Sequence, residues 1–242
     1  MATACDNAGV RWEAPQAALG DTLGALSIDA GAVKFVRATV AMGPADLLAC
    51  AGTVATATDQ TMAYATWFRR RPDSSVAVMA SRSDDGGSKW TVPAIVDSVD
   101  VGQFGCARPG PSIAAAEGYV HVAYSLKAPE GYGVFFAHSM DGGATFHAPM
   151  IVVYGDRLSA TATAAHGARV AVAYEDPSGN NRRLDVALSR TQGHTFEPRE
   201  RASPEEMPAT HPRIAIRDTG VVLSFAGTDT TGRALRIGRI RR

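Results

Sequence analysis

The sequence lacks three features that would each narrow the class of the protein. It has no excess charge, because Lys plus Arg and Asp plus Glu both number 24, and so nothing favours a nucleic-acid or anionic-membrane partner. It has no run of about 18 apolar residues, which excludes a membrane-spanning helix. It also has little cysteine. Cys5, Cys50 and Cys106 are too few, and odd in number, for a disulfide scaffold.

The composition is that of one packed domain of many short strands. Hydrophobic residues make up 45% and charged residues 20% of the 242 positions, with 24 glycines and 13 prolines to supply turns. We therefore treat residues 1–242 as a single domain. The cysteines allow one disulfide and one thiol, or three thiols, and we expect buried thiols.

A short pattern recurs along the chain: Ser-x-Asp-x-Gly-x-[Thr/Lys]-aromatic, with a proline three residues later. Two copies are complete, and their pattern residues are Ser83, Asp85, Gly87, Trp90 and Ser139, Asp141, Gly143, Phe146. A third copy has Ser189, Gly193 and Phe196 but Thr191 at the aspartate position. A fourth is weaker, with Cys5 for serine, Asn7 for aspartate, then Gly9 and Trp12.

The chemistry of this unit is that of a tight turn. Ser and Asp side chains accept hydrogen bonds from nearby backbone N–H groups, and the glycine tolerates a positive φ. The aromatic residue is expected to begin the next strand and to pack between neighbouring sheets. Because the turn uses these side chains, the pattern informs about architecture and not about activity.

These segments resemble Asp boxes, the BNR repeats of sialidase-type β-propellers. The resemblance implies an all-β propeller of four-stranded antiparallel blades. A second repeat agrees with it, since strand–turn–strand hairpins of period-2 alternation recur at Leu26–Val36, Val54–Thr66, Ile113–Tyr124, Thr161–Tyr174 and Ile214–Phe225. A β-sandwich is the alternative, but the fixed order of hairpin, strand, Asp box and strand favours radial repetition.

The repeats predict three complete blades at about 51–100, 101–155 and 156–203. The C-terminal segment supplies a hairpin and the strand Ala234–Ile240, and the N-terminus supplies an Asp box and one strand. We predict that the two ends complete one blade, with Trp12 beside Ala234–Ile240. Residues 18–50 hold a hairpin and a predicted third strand, Ala45–Ala49. Five blades are favoured over four with an insertion, and six need a longer chain.

The expected site lies on the face that carries the loops between the second and third strands of each blade and the connections between blades, away from the Asp boxes. The residues there include a basic, aromatic segment that begins at Trp67, and loops carry function disproportionately. The candidate ligand-binding residues are Trp67, Arg69, Arg70, Arg71, Arg108, Tyr132, Glu175, Asp176, Arg182 and His211. An exposed Trp67 and Phe68 would be the main contact for a ligand.

The resemblance to sialidases also implies three arginines that hold the substrate carboxylate, a Tyr–Glu nucleophile pair and an Asp that acts as the acid catalyst. The nearest match to the family's first arginine motif, Phe35-Val36-Arg37-Ala38, is out of frame and lacks the proline. Tyr174 and Glu175 are adjacent on a strand, so their side chains point to opposite faces. We therefore expect a non-catalytic module that binds a glycan, peptide or protein, with a sialidase-type glycoside hydrolase as the alternative.

A second alternative is a copper or zinc site at the channel mouth. Its candidate ligands are Cys50, Cys106, Met207 and His211, which precede predicted inner strands. The binding-module interpretation itself requires no cofactor and is compatible with a monomer. By resemblance only, the protein is expected to be secreted or periplasmic, with Met1–Ala4 read as a start codon placed before the mature chain.

Overall fold

The computed structural model describes residues 9–18, 25–29, 32–36, 45–178, 182–227 and 232–241. Regular structure in those ranges is antiparallel β-sheet, apart from a single 3-10 turn at Ala51–Thr53. The strands form four sheets and one separate hairpin. The predicted all-β class is confirmed.

Four short strands come first along the chain: β1 (Val10–Trp12), β2 (Gln16–Ala17), β3 (Ala25–Asp29) and β4 (Ala32–Val36). Strands β3 and β4 pair as the predicted hairpin, whose predicted turn residue Gly31 lies outside the described residues. The predicted third strand at Ala45–Ala49 is wrong. This segment instead forms a turn and one isolated bridge, Ala49 to Arg69, because Asp46 turns inward to accept a hydrogen bond from the Trp67 indole.

The next three stretches of chain each form one four-stranded sheet, with the strands in sequential order. Sheet 1 comprises β5 (Ala55–Asp59), β6 (Met62–Arg70), β7 (Val76–Ser83) and β8 (Ala94–Asp97). Sheet 2 comprises β9 (Ser112–Ala116), β10 (Tyr119–Ala128), β11 (Gly131–Ser139) and β12 (Met150–Gly155). Sheet 3 comprises β13 (Thr161–His166), β14 (Arg169–Glu175), β15 (Leu184–Ser189) and β16 (Glu200–Arg201).

Sheet 4 joins strands from both ends of the described chain. Its strands are β17 (Thr210–Arg217), β18 (Gly220–Ala226) and β19 (Arg233–Ile240), followed by β1, and β2 also pairs with β19. Trp12 is the register partner of Gly238, so its predicted place beside this strand is confirmed. A Cβ at position 238 would lie 2.5 Å from Val10 Cγ1 and 2.9 Å from Trp12 Cε3, so this pairing needs glycine.

The inner strands of the sheets line a central channel of about 810 Å³. Strand β5 adjoins β9, β9 adjoins β13, β13 adjoins β17, and β17 adjoins β3. Large apolar side chains on the outer parts of the sheets pack between neighbours: Phe68 with Tyr124, Phe136 with Tyr174, and Leu184 with Phe225. Burial of a side chain such as Phe136 contributes about 1.5–3 kcal/mol.

The Asp boxes close the turns after β7, β11 and β15 as their chemistry predicts. In sheet 2, Ser139 Oγ donates to Asp141 Oδ1 (2.7 Å) and accepts from the Gly143 N–H (2.8 Å), and Asp141 accepts from the Thr145 N–H (2.9 Å). Burial alone would raise the pKa of Asp141, but the hydrogen bonds from Thr145 and Ser139 lower it to about 2. The box of sheet 1 repeats these bonds on Ser83 and Asp85.

The box of sheet 3 keeps the same turn without the carboxylate. Thr191 Oγ1 accepts from the Thr195 N–H (3.0 Å), and Ser189 Oγ accepts from the Gly193 N–H (2.9 Å). Asn7 of the weakest box lies outside the described residues, while Gly9 has the expected positive φ of 95°. In the box of sheet 3, the Thr191 hydroxyl therefore takes the place of the Asp carboxylate as the hydrogen-bond acceptor of the turn.

The box aromatics pack against the cores of the sheets, but they do not begin strands. Trp90, Phe146 and Phe196 lie in the segments that lead to the outer strands, which start at Ala94, Met150 and Glu200. Phe196 meets Phe136 edge-on, with ring centroids 4.9 Å apart. The predicted packing role is confirmed. The predicted strand start is wrong, because each outer strand begins four residues after its box aromatic.

Candidate functional site

The two ends of the central channel differ in the segments that surround them. Strand β9 ends beside a box, where the Gly142 N–H donates to the Gly118 carbonyl (3.1 Å). Its other end, at Pro111, opens on a cavity of about 860 Å³, called here the channel mouth. The mouth is lined by connections between sheets and by loops between second and third strands, which is the face predicted to carry a site.

The channel mouth has an excess of positive charge. Five arginines line it against two carboxylates, together with one histidine: Arg157, Arg182, Arg183, Arg213, Arg233, Glu175, Asp176 and His211. Guanidinium groups are planar forks that match carboxylate and phosphate oxygens. The mouth is therefore suited to an anionic ligand.

The two carboxylates of the mouth are held by the protein itself. Asp176 is buried, forms an ion pair with Arg183 (2.9 Å) and accepts hydrogen bonds from Ser178. Glu175 Oε1 accepts from the backbone N–H of His211 (2.8 Å). His211 has a positive φ of 52°, which that bond helps to hold. These acids position loops around the cavity.

Arg213 and Arg233 come from strands at the bottom of the mouth. The Arg233 guanidinium donates to Ser224 Oγ (2.9 Å), to the Ser224 carbonyl (3.0 Å) and to the His211 carbonyl (2.5 Å). Burial, and then the nearby charge of Arg213, lowers the pKa of Arg233 to about 10. An anion bound between the two side chains would offset that repulsion.

Four of the ten predicted ligand-binding residues line this mouth: Glu175, Asp176, Arg182 and His211. Arg213 and Arg233 were missed, because each lies directly before a predicted strand, Ile214–Phe225 or Ala234–Ile240, and neither was assigned to a loop. The signal available in the sequence was the position of each arginine at the edge of a predicted strand. In the structure Arg213 lies in β17 and Arg233 is the first residue of β19.

The expectation of an exposed aromatic contact at Trp67 and Phe68 is wrong. Both lie within β6 and are 1% and 0% exposed. The indole N–H of Trp67 donates to Asp46 Oδ2 (2.8 Å), and Arg69 pairs with the same carboxylate (2.7 Å). The segment predicted to be an exposed loop is therefore part of a buried strand, and residues 45–50 cover it.

The other basic residues of that prediction also lie away from the mouth. Arg70 is exposed at the end of β6, and Arg71 donates to the Ser98 carbonyl. Arg108 is buried in an ion pair with Asp100 (3.0 Å) and lies over the ring of Phe68. Tyr132, in β11, contacts the ring of Phe104 and the Lys127 ammonium group. The structure therefore divides the predicted set into two separate regions.

The expected cysteine ligands are also wrong. Cys50 and Cys106 form a disulfide with Cα atoms 5.3 Å apart, so neither offers a thiolate, and the expectation of buried thiols fails for both. Met207 packs against the core between sheets 3 and 4. In the described part of the chain, no three His, Cys, Asp or Glu side chains are arranged to hold a metal ion, and no helix there is long and apolar enough to cross a membrane.

The family's Tyr–Glu pair is not formed by Tyr174 and Glu175. Tyr174 is fully buried in the core between sheets 2 and 3, while Glu175 lines the mouth. Burial, and then the charge of Asp185, raises the pKa of the Tyr174 hydroxyl. Among the described residues that line the mouth there is no tyrosine.

Comparison with known proteins identifies the fold. No family model matches the sequence, and no curated protein matches it. Among solved structures, the Hadza microbial sialidase Hz136 superposes with a TM-score of 0.57 at 15% identity, over 78% of this chain and 46% of that one. The N10 neuraminidase-like protein of A/little yellow-shouldered bat/Guatemala/060/2010 gives 0.54 at 8% identity, over 83% and 60%.

These structural neighbours are sialidase-type β-propellers, and the chain has their fold. It spans about half the length of the first and 60% of the second. At such low identity the likeness concerns architecture alone.

Proposed function

We propose that this protein binds an acidic glycan at the channel mouth without cleaving it. The observation that carries the proposal is the arginine-rich lining, with Arg213 and Arg233 at the base and Arg182 at the rim. Five guanidinium groups face two carboxylates that are already engaged by backbone or arginine donors. A ligand carboxylate would offset part of the positive charge of this lining.

The shape of the mouth favours a sugar over a flat protein surface. A volume of about 860 Å³ falls within the range of about 300–1,000 Å³ that is typical of small-molecule sites. Hydroxyl groups, including those of Thr53, Thr161 and Thr210, border it. The neighbour reported above with the higher TM-score is named a sialidase, which by analogy makes a sialylated glycan the first candidate. A peptide or protein partner is the less favoured occupant.

Binding is favoured over hydrolysis by the state of the acidic groups. Retaining glycosidases use two carboxyl groups about 5 Å apart on either side of the scissile bond, or a tyrosine nucleophile in sialidases. Here Asp176 is buried in an ion pair and Tyr174 lies in the core. A divergent glycoside hydrolase stays the alternative, with Glu175 as its available acid.

We further propose that residues 1–242 form one five-bladed propeller closed by the pairing of β1 with β19. Five inner strands, one of them from the β3–β4 hairpin, line the central channel, which supports this count. We propose export to the periplasm or outside the cell, because the Cys50–Cys106 disulfide suits an oxidising compartment. We expect a monomer, which size-exclusion chromatography with light scattering would test.

The function is tested by calorimetric titration with sialyllactose and with lactose, which differ by the acidic sugar. We expect binding of sialyllactose only. Arg213→Gln and Arg182→Gln should each weaken it about 10- to 100-fold, the value of a lost charge-assisted hydrogen bond of about 1.5–3 kcal/mol. Arg70→Gln, an exposed arginine outside the mouth, is the matched control and should bind as the wild type does.

Three outcomes would go against this function. Equal affinity for lactose and sialyllactose would remove the role of the carboxylate. Unchanged affinity in both Arg182→Gln and Arg213→Gln would place the ligand elsewhere. Release of free sialic acid from sialyllactose would replace binding by the hydrolase alternative, and then Glu175→Gln should abolish the release.

A further inference from the structure

Four of the six histidines lie together on the Asp-box side of sheets 2 and 3. His121 on β10 and His138 on β11 are register partners, so their side chains share one face of sheet 2. The His147 N–H, beyond the box, donates to the His138 carbonyl (3.0 Å). His194 comes from the box loop of sheet 3. Three imidazoles thus lie across sheet 2, and a fourth imidazole, that of His194 from sheet 3, lies next to them.

The rings of His138, His147 and His194 are close enough to share a ligand. The His138 ring centroid lies 4.6 Å from that of His147 and 4.6 Å from that of His194, and the latter two are 6.3 Å apart. Imidazole nitrogens bind Zn²⁺ at about 2.0–2.1 Å. Two rings on one ion at tetrahedral or right angles then have centroids about 4.5–5 Å apart.

A hydrogen bond fixes the tautomer of His194, and one nitrogen of His138 has no hydrogen-bond partner. His194 Nδ1 lies 2.6 Å from the Thr191 carbonyl oxygen, which can only accept, so Nδ1 carries the proton and Nε2 keeps its lone pair. Metal-binding histidines are commonly oriented by such a carbonyl. His138 is 3% exposed, and its Nε2 is buried without a hydrogen-bond partner.

No carboxylate joins the histidine cluster: among the described residues, no ion pair or hydrogen bond links the rings of His138, His147 or His194 to an Asp or Glu side chain. The cluster is therefore a set of nitrogen donors that includes one otherwise unsatisfied buried atom, His138 Nε2.

We propose that His138 and His194 form a site for a divalent transition-metal ion, Zn²⁺, Cu²⁺ or Ni²⁺, that links sheet 2 to sheet 3. As the rings stand, three donor atoms do not converge on one point, so the cross-sheet pair is the preformed part. His147 is exposed and supplies a third ligand after rotation of its ring. Imidazole is a common ligand of these ions.

The experiment titrates the full chain, purified without a histidine tag, with ZnCl₂ and separately NiCl₂ by calorimetry. We expect one ion per chain and a rise in Tm. His194→Gln should weaken binding by more than about tenfold, the smallest loss usual for removing even an outer-shell partner. His166→Gln, a histidine outside the cluster, is the matched control and should bind as the wild type does. Affinity should fall as the pH is lowered, because protons compete for the ligands.

The buried His138 is not needed as a variant, because His194 and His147 are both on the surface. Cu²⁺ gives an independent readout, since its unpaired electron should broaden the imidazole proton NMR signals of His194 and His138 before those of His166 and His211. Absence of saturable binding, or equal Zn²⁺ affinity in wild type and His194→Gln, would overturn the proposal. Loss of affinity in His147→Gln as large as in His194→Gln would support a three-ligand site.

Discussion

The two ends of the channel are held together in different ways. On the face that holds the mouth, groups far apart in sequence meet: the Cys50–Cys106 disulfide joins residues 56 positions apart, and the hydrogen bond from the His211 N–H to Glu175 joins residues 36 positions apart. On the Asp-box side, each turn closes on itself through bonds between residues two to four positions apart. One end depends on the whole fold being formed, and the other forms from short stretches of chain.

This contrast assigns different work to the two ends. The mouth keeps cationic side chains partly buried, which lowers the pKa of Arg233 and favours an anion. On the box side, burial lowers the pKa of His121 and His138, which disfavours the binding of a proton, and the His138–His194 pair is the proposed metal site. Opposite kinds of ligand are therefore expected at opposite ends of one channel.

The largest expected effect tests the long-range links at the mouth. Replacing the disulfide in Cys50→Ala/Cys106→Ala should lower the free energy of unfolding by about 4 kcal/mol, because the bond closes a long loop of chain with a sequence separation of 56 residues. Urea unfolding followed by tryptophan fluorescence measures the loss. Cys5→Ala is the control for loss of a cysteine. A loss as small as that of Cys5→Ala would mean that noncovalent contacts alone hold this end.

The same contrast explains what the sequence could predict. Boxes and hairpins are local, so sheets 1 to 3 followed from spacing, whereas the place of Trp12 beside Ala234–Ile240 followed from the resemblance to propellers closed by their two ends. The mouth draws on segments from Gly52 to Arg233, and which arginines meet there depends on how the sheets are arranged. Trp67 was misjudged because the chain at Asp46 folds back over it, which no local pattern records. The histidine cluster was missed for the same reason, since it spans two sheets.

The second prediction concerns pH on the box side. Burial, and then nearby His138 and His194, lowers the pKa of His121 to about 3, and that of His138 is about 4, against about 6.5 in an unfolded chain. Between these values the unfolded chain binds more protons. The contribution of each neutral histidine to the free energy of unfolding is therefore fully present above about pH 6.5. It is lost as the pH falls, by roughly 1–2 kcal/mol per histidine at pH 5.

The variant His121→Leu isolates this effect from the carboxylates. At pH 7 it should be close to neutral, because neither ring nitrogen of His121 has a hydrogen-bond partner. The loss between pH 7 and pH 5, measured by urea unfolding, should be smaller than in the wild type by about 1–2 kcal/mol. His166→Leu serves as the control. An unchanged pH dependence in His121→Leu would show that this ring does not titrate on unfolding.

The third prediction tests the strength of a single box. Ser139→Ala leaves the buried Gly143 N–H without its acceptor, which should cost about 1–3 kcal/mol. Ser88→Ala, at an exposed box position, should change the stability by less than about 0.5 kcal/mol. The difference in unfolding free energy between the two variants is the measure. Equal effects would mean that the box is held by its backbone and not by the serine.

The smallest expected effect asks whether the box of sheet 3 is weaker for lack of a carboxylate. Asp141 accepts from both the N–H and the hydroxyl of Thr145 (2.9 and 2.6 Å) with a charged carboxylate, whereas Thr191 meets the Thr195 N–H (3.0 Å) and hydroxyl (2.9 Å) with a neutral hydroxyl. Thr191→Asp should therefore stabilise the fold by about 0.5–1 kcal/mol, since charge-assisted bonds are the stronger ones.

The neutral variant Thr191→Asn separates charge from shape, and it should show less of the gain. The new carboxylate would also lie in the loop that carries His194, so it should favour protonation of the cluster and reduce the stability lost between pH 7 and pH 5. A destabilised Thr191→Asp with unchanged pH dependence would mean that the third box is complete as it stands, and that the two ends of the channel differ less in their local energetics than their hydrogen bonds indicate.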